Sequence, residues 1–140
     1  MTHPFPLPDE LGPELQRARS YWDSLKRADA TMPFWDDVKL SALSGISDRV
    51  LLLDVYADPE RFRVNTIGAQ AGDGDALRGK FVDDATAGRA LHRLREQASA
   101  TVASRGPTVY RGEGYDRILL PMWGDGRIGM LLGAVAPREA

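Results

Sequence analysis

Two strand-like runs joined by a tight proline turn constrain this chain more than any other feature. Arg49 to Tyr56 reads RVLLLDVY and Arg61 to Ile67 reads RFRVNTI. The first run is rich in valine and leucine, which suit a pleated surface. Between the runs, Asp58-Pro59-Glu60 supplies a side-chain acceptor and then a residue with fixed φ, the order a type I turn favours. An antiparallel hairpin is expected. In the second run Phe62, Val64 and Thr66 alternate with Arg63, Asn65 and Ile67, the period of a strand with one buried face, which Ile67 interrupts. Asp54 is expected to pair with an arginine of the neighbouring strand, such as Arg63.

The remaining elements fall on either side of this hairpin. Residues 1–8 hold three prolines and read as an extended, mobile arm. From Gly12 to Ala28, Leu11, Leu15, Ala18, Trp22, Leu25 and Ala28 recur at helical spacing, with Pro13 suited to the first turn. This amphipathic helix occupies 9–30, and Met32-Pro33 stops it because the residue before a proline is pushed out of the α region. A single domain fills 31–140. A short helix is expected from Asp36 or Asp37 to Leu43. After the hairpin comes a glycine-rich crossover, then a helix capped by Asp83 or Asp84 and reaching Ser104, with Ala87, Leu91, Leu94, Ala98, Thr101 and Val102 along one side. Three strands close the chain: Pro107 to Arg111, Arg117 to Trp123 and Arg127 to Val135. Gly124-Asp125-Gly126 is a hairpin signal between the last two, and Pro121, which cannot donate to a ladder, predicts a bulge or an unpaired residue.

Composition narrows the function. The 140 residues carry 18 basic and 20 acidic side chains, a net charge of -2 that offers no field for a nucleic acid. There is no cysteine, which removes disulfides, thiolate catalysis, cysteine metal sites and flavin–cysteinyl photochemistry. The N-terminus lacks a basic and apolar leader and no run is long enough to span a bilayer, so a cytoplasmic, membrane-free protein is expected.

Several short matches recur in order: Tyr21-Trp22, Met32-Pro33, Asp54-Val55, Phe62-Arg63-Val64 with Ile67-Gly68, Leu77-Arg78-Gly79-Lys80, and Leu120-Pro121-Met122 before the last hairpin. In that order and spacing, Tyr21 to Ala136 resembles a PAS-like family of short, stand-alone bacterial proteins. Arg78 departs from the threonine usual there. The resemblance implies an α+β fold: a five-stranded antiparallel sheet with helices on one face, its first and last strands central neighbours, and an N-terminal flanking helix. It further implies a regulatory role in signal transduction, exercised by binding an unidentified signalling protein, with homodimerisation through a flanking helix. Leu11, Leu15, Trp22 and Leu25 are the interface residues this would use. An isolated helix of ~17 residues is marginal in water, so the stripe needs burial, against a second copy or against its own sheet.

No catalytic set emerges, and no cofactor is expected. His92 occupies the helix from which haem-binding PAS domains ligate iron, yet it lies among Arg89, Arg93 and Glu96, away from the apolar stripe. The Gly72-Asp73-Gly74-Asp75 loop suggests calcium, but continuing the twelve-residue pattern puts Leu77 at a ligand position and Arg78 where glycine belongs. Asp54 could serve as a buried base; without a second acid or base it specifies no reaction, so a small isomerase or dehydratase is disfavoured. The remaining reading is a ligand pocket between sheet and long helix, walled by Leu53, Val64, Leu91, Leu94, Ile118, Leu120 and Met130, with Asn65 and Tyr110 as polar contacts. The alternatives are a filled core and a ligand-free interaction or dimerisation module.

Overall fold

The two runs around the proline turn pair as β1 (Val50–Tyr56) and β2 (Arg61–Ile67), antiparallel, with Asp54 opposite Arg63. The computed structural model describes residues 5–28, 30–57, 59–68, 78–82, 93–112, 114–124 and 126–137. The closing strands are β3 (Thr108–Arg111), β4 (Tyr115–Gly124) and β5 (Arg127–Pro137). All five form one antiparallel sheet in the order β2-β1-β5-β4-β3, so the first and last strands are central neighbours. Gly124 pairs with Arg127, leaving two residues for the hairpin loop, and Gly126 has φ +79, which glycine adopts without cost.

Residues opposite one another in such a ladder share a face. Thr108, Leu119, Gly133, Leu51 and Ile67 lie in a row across all five strands on one face; Val109, Ile118, Ala134 and Val50 lie in the next row, on the other. The helix α2 (Leu94–Ser104) covers the first face with Leu94, Gln97, Ala98 and Thr101, the i, i+3, i+4, i+7 positions of one stripe. The helix α1 (Pro13–Ser24) packs against β4 and β5 on the second face, where Leu15 sits beside Ala136. Two covered faces explain why residues 117–122 and 130–136 are buried at consecutive positions, whereas β2 at the edge alternates from Arg61 to Asn65 before the register shift opposite Leu52 and Leu53.

The amphipathic stripe is therefore packed inside its own chain. Leu15 and Trp22 are buried, Leu11 and Leu25 half-buried, and the Trp22 indole N–H donates to the Pro121 carbonyl at 2.8 Å. This is the intramolecular outcome that the pattern allowed beside a dimer face. The helix ends at Ser24 rather than Ala28, closing with an i to i−3 bond from Leu25 N–H to Trp22 O, and Ala28 is left-handed at φ 47. In place of the short helix to Leu43, two 3-10 segments occur, Trp35–Asp37 and Leu40–Arg49, the latter kinked at Leu43 and Ile46. Burial of those two apolar side chains overrides regular helical geometry.

Pro121 fits β4 without the expected disruption, in register opposite Leu131; the irregularity falls one step later, between Met122 and Trp123. Its carbonyl accepts from Trp22, so its ring nitrogen also faces away from β5, where no ladder bond is lost. Part of the N-terminal arm packs on the sheet. Phe5 is 2% exposed, and its carbonyl accepts from Val109 N–H on the outer edge of β3. The opposite edge is covered too: Val64 N–H donates to Lys80 O, and Gly79 and Val82 donate to Val64 and Phe62. Both edges thus have their exposed backbone groups partly satisfied, which opposes edge-to-edge association.

Candidate functional site at the aromatic and arginine-lined end of the sheet

The register divides the expected pocket walls between the two faces. Leu53 and Val64 lie opposite each other on the α2 face with Leu94, all buried. Ile118, Leu120 and Met130 belong to the α1 face, with Ala134, Leu132 and Asp54 as their partners across the ladder. A sheet separates the two groups, and each is part of the packed core rather than the wall of one space. Leu91 lies outside the described residues, as do His92, Asp83, Asp84 and the loop Gly72 to Asp75. Tyr110 is half-buried and packs between the rings of Phe5 and Tyr115.

Asp54 and Arg63 pair as their cross-strand placement predicts. Arg63 Nη2 and Nε donate to Asp54 Oδ2 at 2.8 and 3.1 Å, and Asn65 Nδ2 donates to Oδ1 at 3.2 Å. These bonds to Asp54 raise the Arg63 guanidinium above its ordinary value. Asn65 is thus engaged in holding Asp54, whose carboxylate is taken up by Arg63 and Asn65. A different polar group is wholly buried. Arg117 is 0% exposed, with its Nε donating to Gln97 Oε1 at 2.7 Å and its guanidinium 4.9 Å from the Tyr110 ring centroid. Burial lowers its pKa to about 10, against the pull of Tyr115 and Tyr110, so it stays charged at neutral pH. Gln97 Nε2 donates to Thr108 O, Thr108 Oγ1 and Arg117 O, tying α2 to β3 and β4. This network is structural: it lies beneath a helix, out of contact with solvent.

What faces solvent is at the other end of the strands. Among the described residues, Phe34, Trp35 and Tyr56 are the large apolar side chains left exposed, at 36%, 42% and 37%. The Met32 to Trp35 segment lies along β4 where β3 no longer pairs, with Trp123 N–H donating to Pro33 O at 2.8 Å. The Cδ1–Nε1 edge of the Trp35 indole abuts Gly124, where any Cβ would run into it, so glycine is required there for close approach. Two hollows flank Trp123. One, of about 340 Å³, lies between the ends of β1, β5 and α2, lined by Val55, Val102, Trp123 and Ile128 with Arg127 and Glu60. The other, of about 250 Å³, is lined by Thr31, Met32, Phe34 and Trp123. Arg105 lines both, its guanidinium 5.3 Å from the Trp123 ring centroid.

No protein-family model, curated protein or solved structure matches this chain. Its chemistry is read from its own residues. Among the described residues no three histidine or acidic side chains lie together in a group able to hold a metal ion, and no helix is long and apolar enough to cross a membrane. Among its described residues the aromatic end presents apolar walls and oriented cations, features that small-molecule sites share. Sequence reading passed over Phe34, Arg105 and Arg127. The available signal was Pro33-Phe34-Trp35, two large rings in a segment with no amphipathic period to bury them.

Proposed function

We propose that this chain is a PAS-like regulatory domain that works by docking another protein at its aromatic end and is tuned by a small molecule bound there. The observation that carries the reading is the strand order β2-β1-β5-β4-β3, with the first and last strands adjacent in the middle and a helix across one face. That topology agrees with the resemblance carried by Tyr21-Trp22, Phe62-Arg63-Val64 and Leu120-Pro121-Met122. Support for docking comes from the position of the exposed rings: Phe34 and Trp35 stand on a segment held to β4 by backbone bonding, so their apolar surface is presented on a fixed scaffold. The filled core on both sides of the sheet supports a site at the strand ends rather than inside.

The test uses affinity capture from lysate of the cells that express the chain, with the intact protein and its Trp35→Ala variant side by side. The variant keeps the fold because that side chain is 42% exposed. A protein retained by the unmodified chain and lost, by roughly tenfold or more, from the variant is the expected result, since aromatic hot spots at interfaces contribute ~2 kcal/mol or more. Identical capture by both chains contradicts docking at this end.

A further inference from the structure

The larger hollow at the aromatic end has a charge character that its apolar walls do not need. Arg105 follows the last residue of α2 in a left-handed conformation, φ 57 and ψ 35, where glycine is the usual choice and a side chain adds strain; Gly106 comes one position later. The chain thus keeps a guanidinium at a position where its backbone would be more relaxed without one. That guanidinium rests over Trp123, between the two hollows, and no carboxylate among the described residues pairs with it. Arg127, on the same hollow, is fixed by Nη1 donating to Val55 O at 2.8 Å and Ile128 O at 3.1 Å. Its Nη2 and Nε have no protein acceptor among the described residues. The acid at the rim, Glu60, already accepts from Ser99 Oγ at 2.7 Å. Among the described residues, two oriented cations stand against one engaged acid over a floor of Val55, Val102 and Ile128, an apolar-floored space with an excess of positive charge.

We infer that this hollow is a binding site for a small amphipathic anion: a carboxylate or sulfonate received by Arg105 and Arg127, carried on a flat apolar body that lies against Trp123. Its volume of about 340 Å³ falls at the low end of the ~300–1,000 Å³ range of small-molecule sites. Planar guanidinium groups bind such anions through paired donors, and both arginines have donors to give. This inference deepens the proposed function by naming the ligand class, and rests on it only for the purpose of binding.

The test compares two probes of nearly the same ring body. 8-Anilinonaphthalene-1-sulfonate carries the anion; N-phenyl-1-naphthylamine lacks it. The intact chain should bind the sulfonate about tenfold more tightly than the neutral amine, with affinity that falls as salt rises. Arg105→Gln should remove most of that preference. Arg105→Gly should do the same while holding or raising the melting temperature, because glycine relieves the left-handed strain. A Glu60→Gln control should bind the sulfonate no worse than the intact chain. Equal binding of both probes, or a preference unchanged in the two Arg105 variants, overturns the inference. Failure here with Trp35-dependent protein capture intact removes the ligand and leaves the docking reading. Arg105-dependent sulfonate binding without protein capture removes the docking reading instead.

Discussion

Trp22→Ala should destabilise the fold by ~3–5 kcal/mol, the range for removing a large aromatic from a core. The indole is 2% exposed against β4 and β5, and its N–H satisfies a Pro121 carbonyl that has no strand beside it to bond. Truncation opens a cavity between α1 and the sheet and leaves that carbonyl without its donor. Against a typical domain stability of ~5–15 kcal/mol, such a loss brings the chain near its unfolding midpoint at modest temperature. Urea unfolding followed by far-ultraviolet circular dichroism measures it. A loss under ~1 kcal/mol, together with self-association that weakens in the variant, would mean that the stripe serves a dimer and not its own sheet.

Gln97→Leu is expected to cost a comparable ~3–5 kcal/mol, although the substitution adds apolar surface to a buried position. Gln97 is the acceptor for the Arg117 Nε and the donor to Thr108 O, Thr108 Oγ1 and Arg117 O. Leucine takes away an acceptor from a fully buried cation and the side-chain donor that ties α2 to β3 and β4. The double variant Gln97→Leu with Arg117→Met removes the charge along with its acceptor, so it should be more stable than Gln97→Leu alone. Calorimetric melting of the three chains reads both effects, and the sign of the coupling decides. A single variant as stable as the unmodified protein would mean that the network contributes nothing.

The hairpin and the sheet were legible because their signals are local and period-two: β-branched residues in Arg49 to Tyr56, alternation in Phe62 to Thr66, the Gly124-Asp125-Gly126 turn. Antiparallel pairing of Asp54 with Arg63 follows from the turn between them. The division of the core into two faces was not legible. Residues 117–122 and 130–136 are apolar enough on both sides that alternation vanishes, so Ile118 and Leu120 could not be told from the α2-facing Leu119 without the register. The fate of the α1 stripe was open for a related reason, since the same period serves a partner or the chain's own sheet. Gln97 lay at i+3 from Leu94 on the buried stripe, a polar residue that the period itself marks for burial, and Arg117 lies near the start of β4 with its side chain under α2. The candidate site was hardest to see. It is assembled from the ends of β1, β4, β5 and α2, and its two cations are surface arginines by every local criterion until the fold brings them together.

If function resides at the aromatic end, outside a filled core, a ligand should perturb that end alone. A two-dimensional 15N–1H NMR titration of the intact chain with 8-anilinonaphthalene-1-sulfonate measures this. The three tryptophans give three indole N–H signals, one of them bonded to Pro121 O in the core. The signal of Trp123 should move, along with the amides of Ala57, Val102, Arg105 and Gly126, while the Trp22 indole and the amides of Leu53, Val64, Ile118 and Leu120 stay in place. Shifts centred on Trp22 or on those four core residues, or no shift at Trp123, would contradict it.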